Sequence, residues 1–106
     1  MEPNVLYMGI GLVDVVAQNV DEIKNSEYGN EMINEIKQME RNVKNGEVES
    51  VLRNIETLKA MCEEYGIVPI LRGNYSREIC ELENEKTMEL LNSLYIRIEE
   101  AIHKFE

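Results

Sequence analysis

The chain has 106 residues, 43% of them hydrophobic and 30% charged, with six glycines and two prolines. That suits one domain with a core of its own and excludes a disordered or low-complexity chain. The 21 Asp and Glu against 11 Lys and Arg give a formal charge of −10, a field that repels nucleic acid and anionic membrane and favours basic partners.

The acid is spread along the chain rather than gathered in a tail. Cys62 and Cys80 are too few and too far apart for a disulfide framework or a CxxC metal or redox site, so reduced thiols in a cytoplasmic protein are expected. The first residues carry Glu2 and Pro3 instead of a basic run, and Asp14 interrupts the apolar stretch that follows. Neither a signal peptide nor a membrane span is expected.

Glu2-Pro3-Asn4 reads as a helix entry. The first helix runs from Val5 to about Lys24, with apolar residues over roughly 220° of the wheel, against a stripe nearer 100° for an ordinary surface helix. It should be covered from two or three sides, with the other helices packed around it. Gly9, on the buried face, would let another backbone come close. A strand over Val5–Ile10 is the rival reading, ranked second because period-2 alternation is missing.

Asn25 or Ser26 should cap a second helix over about 27–44, where Tyr28, Met32, Ile36, Met39 and Val43 form the narrow stripe of a peripheral helix. Asn45-Gly46 ends it in a left-handed cap, and the short break implies an antiparallel hairpin. A third helix, about 47–65, carries Val48, Val51, Leu52, Ile55, Leu58, Met61, Cys62 and Tyr65 on one half before Gly66. Cys62 falls in that stripe and should be a quiet core thiol.

Residues 66–75, GIVPILRGNY, form a long apolar connection in which Pro69 holds Val68 extended. The fourth helix begins near Ser76 and reaches Phe105. From Thr87 onward Met88, Leu90, Leu91, Leu94, Tyr95, Ile98, Ala101, Ile102 and Phe105 share one side, opposite Glu85, Glu89, Asn92, Glu99 and Glu100. Glu83 and Asn84 fall on the apolar side, which predicts a break near Asn84. The expected fold is all-α: a single domain over residues 1–106, built as an antiparallel four-helix bundle with a long connection between its third and fourth helices.

Three constellations could carry function. Glu78, Glu81, Glu85 and Glu89 line one helical face without intervening base, and like charges at this spacing cost a few tenths of a kcal/mol per pair. Such ribbons are usually solvated; as a functional feature the ribbon is a docking strip for a basic partner. Arg72, with Asn74 and Tyr75, is the one basic site in the apolar connection, and either pairs with Glu83 or belongs to a binding loop.

Glu100 and His103 have the Glu-x-x-His spacing of di-iron bundles, but the chain holds one histidine and the pair lies on the polar side, so no metal site is expected. Arg97 and His103 resemble, in a two-residue pattern, the Arg…His motif of small all-helical ribonucleases of the HEPN type, which would make those two residues catalytic. Their six-residue spacing sets them about 120° apart on the helix.

No Ser-His-Asp set, phosphate-cradling glycine loop or carboxylate–histidine base is present in the sequence. The expectation is a small cytoplasmic binding or regulatory protein without a cofactor. It would act through protein–protein contact at Glu78, Glu81, Glu85, Glu89, Arg72 and Tyr75, and one version inhibits a partner by filling its basic groove. The competing readings are a ribonuclease or carboxylate-metal enzyme using Arg97, Glu100 and His103, and a structural subunit of a homo-oligomer. The apolar surface of the first helix and of residues 66–75 favours a homodimer.

Overall fold

The computed structural model describes residues 5–67 and 85–106. Arg72, Tyr75, Glu78, Glu81 and Glu83, most of the long connection, and the predicted break near Asn84 lie outside the described residues. Among those described, all secondary structure is helical: α1 (Val5–Gln18), α2 (Val20–Lys24), α3 (Gly29–Lys44), α4 (Val48–Glu64) and α5 (Glu85–Phe105). No strand occurs among them, and the rival Val5–Ile10 strand is the start of α1.

The wide apolar arc of the first helix is buried as its spacing requires. Leu6, Leu12, Val13, Val16 and Ile23 have no exposed surface, and Tyr7, Gln18, Asp21 and Glu22 face water. The helix is not continuous, however. Asn19 interrupts it: its side-chain Nδ2 donates to the Val15 carbonyl at 2.8 Å, and its own N–H reaches Val16 O at 3.1 Å, one residue short of α-helical spacing. An asparagine amide competes with the helix for its own carbonyls, which tightens the last turn of α1 and sets off α2.

Gly9 is approached by a side chain, not by a backbone. A Cβ there would lie 2.6 Å from Ile55 Cδ1 and 2.8 Å from its Cγ1, so the missing side chain makes room for a fully buried isoleucine of α4.

Asn25 and Ser26 act backwards from the expected caps. Ser26 Oγ donates to the Ile23 carbonyl at 2.6 Å and Asn25 Nδ2 to the Asp21 carbonyl at 2.9 Å, so both close the end of α2. Tyr28 occupies the cap position of α3 and makes no capping side-chain bond. The stripe of α3 is as narrow as expected, with Met32, Ile36 and Met39 fully buried. Gly46, at φ +69°, and Gly66, at φ +74°, end α3 and α4 in the left-handed region.

Helix direction follows from paired contacts. Tyr28 stacks on Tyr65 with ring centroids 4.1 Å apart, while Asn42 near the other end of α3 bonds Asn54. Hence α3 and α4 are antiparallel. Lys44 lies over the Tyr95 ring at 6.0 Å, and Lys37 shares a cleft with His103, so α3 and α5 are antiparallel as well. In contrast, Lys86 sits 5.8 Å from the Tyr7 ring centroid and Arg97 binds Asp14, so α1 and α5 run the same way.

The expected all-antiparallel order is corrected accordingly. A short link forces reversal between α3 and α4, but the twenty residues between α4 and α5 (65–84) are enough to carry the chain back to its starting end. Nor is the first helix a post with every other helix around it. α1 is covered by α4, α5 and α2, whereas the main neighbours of α3 are α4 and α5.

Leu90, Leu91, Leu94, Ile98 and Ala101 of α5 complete the core with the apolar faces of α1, α3 and α4. Cys62 is fully buried within it, and burial, with a smaller push from Glu63, raises its thiol to about 11. Protonation is favoured in the fold, so this contribution to stability is present at neutral pH and is lost as pH rises through 11. In a Cys80→Ser variant, a disulfide-exchange reagent at pH 8 should leave Cys62 unmodified until denaturant unfolds the chain. Rapid stoichiometric modification of the native protein would contradict this burial.

Candidate interaction surface

Of the predicted acidic strip, Glu85 and Glu89 lie among the described residues, on the polar side of α5. Glu85 and Glu89 are both exposed on it, followed by Asn92, Glu99 and Glu100. Lys86 approaches Glu89 at 3.8 Å, an ion pair with both side chains more than 60% exposed, which water and salt screen strongly. Glu85 and Glu89 therefore share one accessible face, as their spacing requires.

Two apolar side chains interrupt that face. Met88, expected in the core stripe, is 53% exposed, and Ile96 is 55% exposed. Met88 lies at the margin of the stripe, where α1 and α3 no longer reach around α5. Ile96 was legible in the sequence as an isoleucine on the polar arc of the wheel, but it formed no part of the predicted site. Beside Met88, an open groove of about 1070 Å³ runs between the end of α3 and the first half of α5. Its apolar lining includes Val43, Leu91 and Met88, and its charged lining Glu85, Glu89 and, from the end of α3, Lys44.

A second, more polar cleft of about 410 Å³ lies farther along the same two helices, lined by Lys37, Glu40, Arg41, Lys44, Glu99 and His103, among others. The carboxyl groups of Glu40 and Glu99 hydrogen-bond across it. Glu40 is raised above its ordinary value chiefly by that bond, with burial adding to it, while Glu99 is lowered by the same bond and by one from Tyr95. Tyr95 is itself raised, chiefly by its bond to Glu99.

One proton therefore serves both carboxyls. Glu40's part in stability is full at low pH and is lost as pH rises through its raised value. Glu99's part is full above the ordinary range and is lost as pH falls through its lowered value. The inter-helix bond needs a proton on one of the two carboxyls, so it weakens as pH rises through Glu40's raised value. Glu40→Gln supplies a permanent donor without charge, so its melting temperature should exceed the parent's at pH 7 by more than it does in mild acid. An equal gain at both pH values would rule out the shared proton.

The residues of the catalytic alternatives do not converge. Arg97 Nη1 holds both oxygens of Asp14, at 2.7 and 2.9 Å, and so ties α5 to α1. At about 40% exposure on each side, such a pair is worth up to about 1 kcal/mol. Glu100 and His103 are exposed on α5, and no group of three His, Cys, Asp or Glu suited to a metal ion occurs among the described residues.

Sequence reasoning missed the polar seam between α3 and α4. Asn54, buried at 7% exposure, accepts from Asn42 Nδ2 at 2.7 Å and donates to Glu35 Oε1 at 2.8 Å. Tyr65 donates to Glu31 at 2.7 Å, which is the main reason its hydroxyl is raised to about 12. The available signal was one polar residue inside the apolar stripe of the third helix. These three bonds set the register of the α3–α4 hairpin.

Comparison with known proteins finds no matching family model, curated protein or solved structure. No helix among the described residues is long and apolar enough to cross a membrane.

Proposed function

We propose that this chain is a non-catalytic four-helix-bundle binding module. It works in the cytoplasm by docking on a cationic protein partner through the outer side of α5. The observation that carries this reading is the accessible face on which Glu85, Glu89 and Glu100 surround exposed Met88 and Ile96. Carboxylates steer a basic partner and set its orientation, while apolar side chains supply contact area that gains from leaving water. A regulatory protein that covers a partner's basic nucleic-acid groove is the specific form this takes. The commitment of Arg97 to Asp14 favours binding over the ribonuclease reading, because that arginine is engaged in joining α5 to α1.

The test compares capture from lysate of the source organism by the parent chain, by Glu85→Lys with Glu89→Lys, and by Glu64→Lys on α4. A basic protein should be retained by the parent and the α4 variant at low salt, and lost from the double variant and at high salt. Retention by all three at both salts would overturn the docking reading.

A further inference from the structure

Resting on that reading, we infer that the occupant of the α5 face is a cationic amphipathic helix, received on the ridge formed by Met88, Asn92 and Ile96. Residues four apart on a helix stand in an inclined row, and such rows are the ridges that fit between the rows of a second helix. On α5, Met88, Asn92 and Ile96 make one such row, and all three are exposed. At 1.5 Å rise per residue the two apolar ends are about 12 Å apart, the reach of two turns of a docked helix. The short amide of Asn92 between them leaves a saddle, and the Val43–Leu91 groove opens beside Met88.

Charge selects the chemistry of the occupant. The rows on either side of the ridge carry Glu85 with Glu89 and Glu99, and the ridge itself continues into Glu100. Four carboxylates surround two apolar side chains, with Lys86 engaged at Glu89 on the margin. A helix presenting one or two large apolar residues flanked by Lys or Arg would bury Met88 and Ile96 and place cations against those carboxylates. A second copy is the poorer occupant, because pairing α5 with α5 sets like charge against like charge. An extended basic peptide satisfies the carboxylates but cannot interdigitate with an inclined row.

The experiment uses the full chain, labelled for NMR, and three synthetic peptides of about 18 residues, long enough to hold helix. The first is an Ala-based helix with a leucine row flanked by lysines. The second has the same composition scrambled so that no apolar row forms, and the third has the lysines replaced by glutamates.

The first peptide should shift the amides of residues 88–100, with affinity lowered at least about tenfold by Ile96→Gln and again by Glu89→Lys with Glu100→Lys. Ile96 is exposed, so the melting temperature of Ile96→Gln serves as the folding control. Equal binding of the scrambled peptide, or shifts that miss α5, would overturn the helix as occupant. Concentration-dependent shifts of the same amides in the chain alone would assign the face to a second copy instead. If lysate capture still depends on Glu85 and Glu89 while the amphipathic peptide leaves α5 unmoved, docking stands and its helical partner falls.

Discussion

Gly29→Ala should lower the unfolding free energy by about 3 kcal/mol, at the upper end of the usual cost of overpacking. The reason is local and specific. A Cβ on Gly29 would collide with the backbone carbonyl oxygen of Ile23, a rigid group, with the Lys24 carbonyl close behind. That same Ile23 carbonyl already accepts the Ser26 N–H at 3.1 Å and the Ser26 hydroxyl at 2.6 Å, so it cannot turn aside without loosening the corner between α2 and α3. Gly29 itself is buried at the head of α3.

Gly46→Ala is the informative contrast. Nothing lies within 4 Å of its new Cβ, and only the left-handed backbone at φ +69° resists it. The cost there should be about 1 kcal/mol, and Gly46→Asn should cost less, since asparagine tolerates that conformation. Urea unfolding of the three variants measures both effects through the midpoint, provided the slope is unchanged. A Gly29→Ala variant as stable as Gly46→Ala would mean that α2 and α3 do not meet as closely as described.

The helices and their buried faces were legible because periodicity is a direct consequence of burial. The arc of α1, the narrow row of α3 and the Leu90–Ala101 stripe of α5 each have the width that their neighbours cover. What a wheel cannot carry is direction or distant partners. Whether α5 runs with α1 or against it depends on how far the connection before it travels, and no periodicity within α5 encodes that. The Asn19 break escaped notice because its neighbours Val16 and Val20 keep the apolar row unbroken on either side; the interruption comes from a side-chain bond to Val15 O, not from composition.

The surface was legible in its charge and not in its apolar content. Glu85 and Glu89 lie on one accessible face because four-residue spacing places them there whatever the tertiary fold. Met88 was misassigned because the edge of a stripe is buried only if a neighbouring helix extends far enough to cover it. Ile96 gives the opposite lesson. An isoleucine in the middle of a polar arc has no core role to fill, and that makes it informative about a surface. The pair Arg97 and Asp14 shows the same limit for ionised groups, since partners 83 positions apart meet only through the packing of α1 on α5.

Asn54→Asp should cost about 3 kcal/mol at pH 7 and recover much of that loss in mild acid. The two side chains are nearly isosteric, so the variant tests hydrogen-bond polarity without opening a cavity. In the native seam Asn54 presents its amide nitrogen to Glu35 Oε1 and its oxygen to Asn42 Nδ2. A carboxylate keeps the second bond and turns the first into contact between two anions, at a site only 7% exposed. One of the two carboxyls must then take up a proton or leave the seam, and burial makes either course costly.

The sign of the pH dependence follows from that proton. The folded variant binds it to a higher pH than the unfolded chain does, so the interaction is present at low pH and is lost as pH rises through the folded value. Stability of Asn54→Asp relative to the parent should thus be closest near pH 4 and fall toward neutrality, while Asn54→Ala should show a deficit that varies little with pH. Urea midpoints of the three chains at pH 4, 5.5 and 7 make the comparison. A pH-independent Asn54→Asp deficit would place Glu35 away from Asn54 and remove that bond from the α3–α4 seam.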